Sequence, residues 1–363
     1  MIKVSAPGKV IISGEYSVVW GEPAFLAAVD KRCWIEVEKT EGSKIRIIDE
    51  VLKKDQWLGK DEVLDFTTKI KKNWERLIET GEREYFEAIK HDPLGLVKIG
   101  VGETLMSLKK GRGGFELRIK NEIPIGVGLG SSAALSVCLV AGLGKVFEER
   151  PGLCRRRNTR PGLSALPLSL INKIAHEIEK RQHGRPSGGD TTICTYGGVL
   201  IFKKTGKKFS FRKLNLKKQL TDFLLVDTGK PAETTGEMLR MVELRIKNQE
   251  SRIKNLLKKT GKITKKIIDV FENQHFDQLK ELIVENERML EELGVVGERA
   301  KRIMRLIEKN SGVAKICGAG GVKRGSGMAL AYHKDFSVLK GNLKKNKIIF
   351  LKVKLGEKGV TIN

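Results

Sequence analysis

The segment Ile123 to Leu135, IPIGVGLGSSAAL, limits what this chain can fold into more than any other stretch. It follows GGFELRIKNEIP, whose alternation predicts a strand. It leads into Ser132 to Glu149, rich in Ala, Leu and Val and ending in charge, which predicts a helix. Glycines at 126, 128 and 130 lie between the two, so strand, tight turn and helix must follow one another within a short length of chain. Ile123 to Gly144 carries no charge, yet its first half is glycine and serine. That leaves about a dozen residues of continuous apolar helix, short of the ~20 needed to cross a bilayer, and a buried helix is expected.

Neither common nucleotide loop fits this segment. A Walker A loop needs Gly-Lys-Ser/Thr, and no lysine follows Gly130; the Rossmann fingerprint needs a glycine where Ser131 stands. The physical parts of an anion site are present all the same. Glycines let the backbone approach a ligand, and Ser131 and Ser132 open a helix whose free N–H groups and positive dipole end favour phosphate. The Ser132 hydroxyl can also reach Mg²⁺. A purely structural turn remains open on this segment alone.

Three further segments bear on the choice. SAPGKVIISGEY (Ser5 to Tyr16) sets a lysine after a Pro-Gly turn. EKRQHGRPSGGD (Glu179 to Asp190) places two carboxylates around a Pro-Ser-Gly turn, and ICGAGGVKRGSG (Ile316 to Gly327) is a second glycine loop. A lysine, two carboxylates and two glycine loops are the parts needed for phosphoryl transfer.

At 363 residues the chain can hold two domains, and 40% apolar with 31% charged residues describes a soluble globular protein. Paired strands in the first forty residues, a helical pattern over Lys69 to Lys90, charged helices over Thr235 to Asn310 and a return to strand near the C-terminus predict an α+β fold. The net charge of +25 attracts anions of every kind. In KNLLKKTGKITKK (Lys254 to Lys266) the lysines fall at helical spacing, and a solvated helix face is favoured over a binding patch. RNA-reading signatures are missing and aromatic residues make up only 6%, which argues against a specific nucleic-acid partner. Five widely spaced cysteines with no C-x-x-C pair fit reduced thiols, and the strand-like start is no secretory signal; a cytoplasmic, membrane-free protein is expected. RPGLCRRRNTRPGLSALP (Arg150 to Pro167) reads as an exposed loop or insertion without an assigned role.

In this order the four segments resemble the GHMP kinase superfamily, with its first motif at APGKVIISGEY, its second at PIGVGLGSSAA and its third at GAGG. The resemblance spans nearly the whole chain. It implies an N-terminal domain like ribosomal protein S5 domain 2 (residues 1–190), a ferredoxin-like C-terminal domain (191–363), an active site between them, and ATP and Mg²⁺ as cofactors. Asp190 matches the family's catalytic aspartate and Lys9 the lysine beside it. Glu179 and Ser132 match its metal ligands, while Glu177 would point to a different face of the helix. Pro124, Gly126, Gly128, Leu129, Gly130, Ser131, Ser132 and Ala133, with Gly318, Ala319 and Gly320, match the ATP cradle. Glu15, Tyr16, His183, Ser187 and Thr235 are candidates for the acceptor pocket, with packing roles as the alternative.

Within the superfamily the motifs point two ways. HGRPSGGD is similar to the mevalonate kinase segment HGxPSGxD, but Tyr16 stands where those kinases usually have histidine. GKPAETTGEM (Gly229 to Met238) is more similar to phosphomevalonate kinases, and Val322, Lys323 and Arg324 interrupt the third motif. The resemblance implies ATP-dependent phosphorylation of mevalonate to 5-phosphomevalonate. A phosphomevalonate kinase or another GHMP small-molecule kinase is the alternative, and a non-catalytic basic nucleic-acid-binding protein is the alternative from a different class. The expected partner is a small-molecule substrate, with a homodimer left open.

Overall fold

The computed structural model describes residues 1–81, 92–109, 113–148, 166–206, 208–216 and 220–363. The first half runs β1 (Ile2–Ser13), β2 (Pro23–Thr40), β3 (Ile45–Asp49), β4 (Lys54–Leu58), α1 (Lys60–Thr80), α2 (Gly95–Leu108), β5 (Gly114–Asn121), α3 (Ser131–Glu148), α4 (Leu168–His183), α5 (Gly189–Tyr196), β6 (Val199–Thr205) and β7 (Lys208–Leu214). The second half runs β8 (Leu220–Asp227), α6 (Thr235–Asn248), α7 (Glu250–Asn273), α8 (Leu279–Leu293), α9 (Glu298–Lys309), β9 (Val313–Ile316), β10 (Met328–Tyr332), α10 (Phe336–Lys345), β11 (Phe350–Leu355) and β12 (Thr361–Ile362). The helical pattern read over Lys69 to Lys90 is realised to Thr80, and residues 82–91 lie outside the described residues. Of the Arg150 to Pro167 segment, only Leu166 and Pro167 are described.

The long strand β2 organises the sheet. β1 lies antiparallel along one edge of it, from Ile2 opposite Val37 to Ser13 opposite Phe25. Along its other edge β6 pairs with Pro23 to Ala27, β11 meets Val29, and β5 pairs with Cys33 to Thr40. Its first half is buried nearly throughout, whereas Cys33 to Glu38 alternates in and out, the signature of a strand with one covered face. In the C-terminal half the spatial order β11-β8-β10-β9 is antiparallel throughout. With its intervening helices, this is the strand order of a ferredoxin-like βαββαβ unit. The fold is thus the mixed α and β architecture that the motif order implies. β6 pairs with β2 and β12 with β1, so the first sheet continues beyond residue 190, and a cut there falls inside α5.

Helix α3 is buried along most of its length against α2, α4, β1 and β2. The lack of charge up to Gly144 reflects that position, and no helix among the described residues is long and apolar enough to cross a membrane. In α7 the lysines at 258, 259, 262 and 266 are exposed, while Ile253, Leu256, Leu257, Ile263 and Ile267 are buried beneath them. That is the solvated face of an amphipathic helix.

Between Pro7 and Lys9 the pairing of β1 with β2 shifts register. Gly8 sits at this irregularity, where a Cβ would lie 2.9 Å from the Leu129 carbonyl oxygen, and the Lys9 amide donates to that same carbonyl at 2.9 Å. The strand bends where the glycine loop must come close, and the bend re-aims Lys9. The fold thereby brings the first motif onto the second.

Candidate active site

Asn121, at the end of β5, ties the two ends of the glycine loop together. Its Oδ1 accepts from the Ile123 amide at 2.9 Å, and its Nδ2 donates to Ser131 Oγ at 2.8 Å. Gly126, Gly128 and Gly130 adopt φ of 77°, 87° and 73°, a region L side chains avoid, so their alternation is a conformational requirement. The third-motif loop packs directly on this one. A methyl group built on Gly318 would sit 3.0 Å from Gly128 Cα, and the Met328 amide donates to the Val127 carbonyl at 3.0 Å.

Two side-chain contacts meet at the start of α3. In the first, Lys9 Nζ lies 3.2 Å from Asp190 Oδ2. Lys9 is buried, whereas the Asp190 side chain is 40% exposed and sits in the first turn of α5, where it faces the cleft. In the second, Ser132 Oγ donates to Glu179 Oε2 at 3.1 Å and Ser136 Oγ to Glu179 Oε1 at 3.3 Å. His183 Nε2 is 3.2 Å from Ser132 Oγ and 3.5 Å from Glu179 Oε2. Burial pushes the Glu179 carboxyl above its ordinary range, and the nearby His183 opposes that rise only in part. Glu177 turns away and pairs with Lys180 and Arg181.

Both contacts open into a cleft of about 590 Å³. Of the residues singled out from sequence, Lys9, Glu15, Tyr16, Gly126, Gly128 to Ser132, Glu179, His183, Ser187, Asp190, Thr235 and Gly318 to Gly320 all line it. Pro124 and Ala133 are not part of the lining; Ala133 belongs to the core and is fully buried. Tyr16 donates its hydroxyl to the Ala319 carbonyl, linking the first motif to the third. Thr235 opens α6 one residue after Thr234, whose side chain accepts from the Glu237 amide in a capping box. Lys323 and Arg324 are exposed and stand outside the cleft lining.

Several participants escape a reading of the sequence. Ser136 lies one helical turn beyond Ser132, and that i, i+4 spacing is a signal that could have found it. Lys315 leaves none, since in VAKI it reads as an ordinary strand residue. It is fully buried, pairs with Glu15 and donates to the carbonyls of Ile11 and Ile316. Glu287, on α8, is buried, and its Oε2 accepts from the Ile316 amide at 3.1 Å while Oε1 has no partner among the described residues.

Burial raises the Glu287 carboxyl from 4.5 to about 8, against the opposing pull of Lys315. A proton is therefore held in the folded state but not in the unfolded chain between these values. Stability must fall as pH rises through that window, by at most ~1.4 kcal/mol per pH unit. In Glu287→Gln that contribution disappears. Urea titrations from pH 5 to 9 should show wild-type stability declining more steeply than the variant's; equal slopes would refute the assignment.

The sequence model of the family described as GHMP kinases N terminal domain matches residues 99–198. The mevalonate kinase of Pyrococcus furiosus is 30% identical over 323 residues, covering 87% of this chain and 86% of the relative. Among solved structures, the Methanococcus jannaschii mevalonate kinase superimposes with a TM-score of 0.72 at 23% identity, over 99% of this chain and 98% of the other. The L. major mevalonate kinase in complex with R-mevalonate gives 0.71 at 19% identity, over 98% and 96%.

Proposed function

This chain belongs to the mevalonate kinase family of the GHMP kinases, and from that premise we propose that it transfers the γ-phosphoryl group of ATP to the hydroxyl of mevalonate, giving 5-phosphomevalonate. The observation that carries the proposal is the meeting of the Lys9–Asp190 and Ser132–Glu179 contacts at the N-terminus of α3.

In this reading Asp190 accepts the proton of the attacking hydroxyl. Lys9, 3.2 Å away, pairs with Asp190 and stabilises charge on the transferring phosphoryl oxygens. The glycine loop and the first amides of α3 hold the phosphate chain. With Asp190 and the glycine loop meeting at the start of α3, acceptor and donor would lie side by side and positioning would supply much of the rate.

The residues around Glu179 suit a divalent cation. This buried carboxylate is met by two hydroxyls and one imidazole, with no lysine or arginine paired to it among the described residues. A cation would supply the missing countercharge, and carboxylate and hydroxyl oxygens are the donors Mg²⁺ prefers. Held by Ser132 and Glu179, Mg²⁺ would neutralise charge on the phosphate oxygens.

The acceptor is argued from charge. Among the described residues, Lys9 and Lys230 are the cleft's only lysine or arginine side chains, and Lys230 lies over Gly126 on the phosphate side. Phosphomevalonate would need further cations to receive its phosphate, so this lining favours mevalonate. Coupled assays offering each acceptor with ATP should show ADP release with mevalonate and its loss when Mg²⁺ is chelated. Turnover of phosphomevalonate alone would refute the proposal. A domain division after Leu214, in place of one at residue 190, and a cytoplasmic location complete the reading. They are supported by the β2–β6 pairing and by the free buried thiols of Cys33, Cys138, Cys194 and Cys317.

A further inference from the structure

The loop between β8 and α6 carries Lys230 over the glycine loop. A methyl group built on Gly126 would lie 3.1 Å from Lys230 Cε and 3.6 Å from its Nζ. Lys230 lines the cleft and has no ion-pair partner among the described residues. At the other end of the same loop, the Lys9 side chain covers Gly130, where a built methyl would meet Cγ at 2.7 Å. The two lysines therefore bracket the glycine turn, and only Lys9 is paired to Asp190.

The position of Lys230 is braced by the residues that interrupt the third motif. Glu233 accepts from the Val322 amide at 3.3 Å and from the Lys323 amide at 3.1 Å, one through each carboxylate oxygen. The two strands of backbone touch nearby as well, since the Gly327 amide donates to the Gly229 carbonyl at 2.9 Å and a Cβ on Gly325 would fall 2.1 Å from that oxygen. The Val322–Arg324 interruption thus offers backbone amides to a carboxylate, while its two cationic side chains face outward.

From this arrangement we infer that Lys230 is a second phosphate-binding cation, reading the part of the nucleotide's phosphate chain that is not transferred, and that Glu233 is a positioning residue holding it over Gly126. The inference rests on the kinase reading for the identity of the ligand. Chemically, an ammonium on a flexible stem acts as a point charge for phosphate, as the lysine of a Walker A loop does. Here that charge comes from the opposite half of the molecule. Its distance from Asp190 along the loop places its effect on nucleotide affinity rather than on proton transfer.

The test is equilibrium titration of the full chain with ATP, ADP and adenosine, without acceptor, for wild type, Lys230→Ala, Lys230→Arg and Glu233→Ala. Lys230→Ala should weaken ATP and ADP about tenfold, a loss of about 1.4 kcal/mol, and leave adenosine unchanged. Lys230→Arg should recover most of the loss. Glu233→Ala should weaken ATP less, and the double variant should be no worse than Lys230→Ala alone, because one residue acts through the other. In steady state, KM for ATP should rise with kcat and KM for mevalonate preserved. Unchanged ATP affinity in Lys230→Ala, or a rise confined to the KM for mevalonate, would overturn the inference. The titrations contain no acceptor, so they decide it even if mevalonate is not turned over, a result that would count against the kinase reading alone.

Discussion

Asp190→Asn should lower kcat by ~1,000-fold, within the range that a positioned general base contributes. The substitution keeps the size and shape of the side chain and removes its ability to take a proton. Asp190 faces the cleft with its side chain 40% exposed, and among the described residues its ion pair is with the buried Lys9, to which the amide oxygen of the variant still offers an acceptor. ATP should still bind, because the glycine loop, Ser132 and Glu179 are untouched. Single-turnover kinetics with separately measured ATP affinity would check this. Retention of more than about a tenth of wild-type kcat would exclude Asp190 as the base.

Lys9→Met should cost ~100- to 1,000-fold in kcat, the scale of losing one preorganised charge from a transition state. Methionine matches the aliphatic stem that fills the space above Gly130, and the Asp190 carboxylate it leaves unpaired is 40% exposed and open to water. Lys9→Ala would instead leave a cavity beside the glycine loop and mix folding with catalysis. Thermal unfolding of the methionine variant should stay close to wild type while turnover collapses. A parallel loss of both would assign Lys9 a structural role.

What could be read in the sequence was whatever a residue type must do locally. The three alternate glycines announced a tight turn between strand and helix, and the chain turns there with all three at positive φ. The helix after them, uncharged up to Gly144, announced burial, and α3 is buried along most of its length. The roles of Lys9 and Asp190 came through the resemblance alone, since nothing in APGKV or PSGGD shows that they will meet at 3.2 Å. Lys315 and Glu287 stayed invisible because their partners are set by packing between distant parts of the chain: Lys315 meets Glu15 from the other end of the sequence. The extent of the first sheet was hidden for the same reason, because β6 finds β2 only in the folded molecule. The interruption of the third motif gives no sign in the sequence that Glu233 accepts from its Val322 and Lys323 amides. A long-range acceptor gives no local pattern.

If the cleft moves a phosphoryl group from ATP to mevalonate, phosphorus-31 NMR of the purified chain with ATP, Mg²⁺ and mevalonate will show it. A new phosphomonoester resonance should grow in step with ADP, and Asp190→Asn should leave both absent on the same timescale. Inorganic phosphate appearing alone, or a diphosphate ester formed only when phosphomevalonate is supplied, would contradict it.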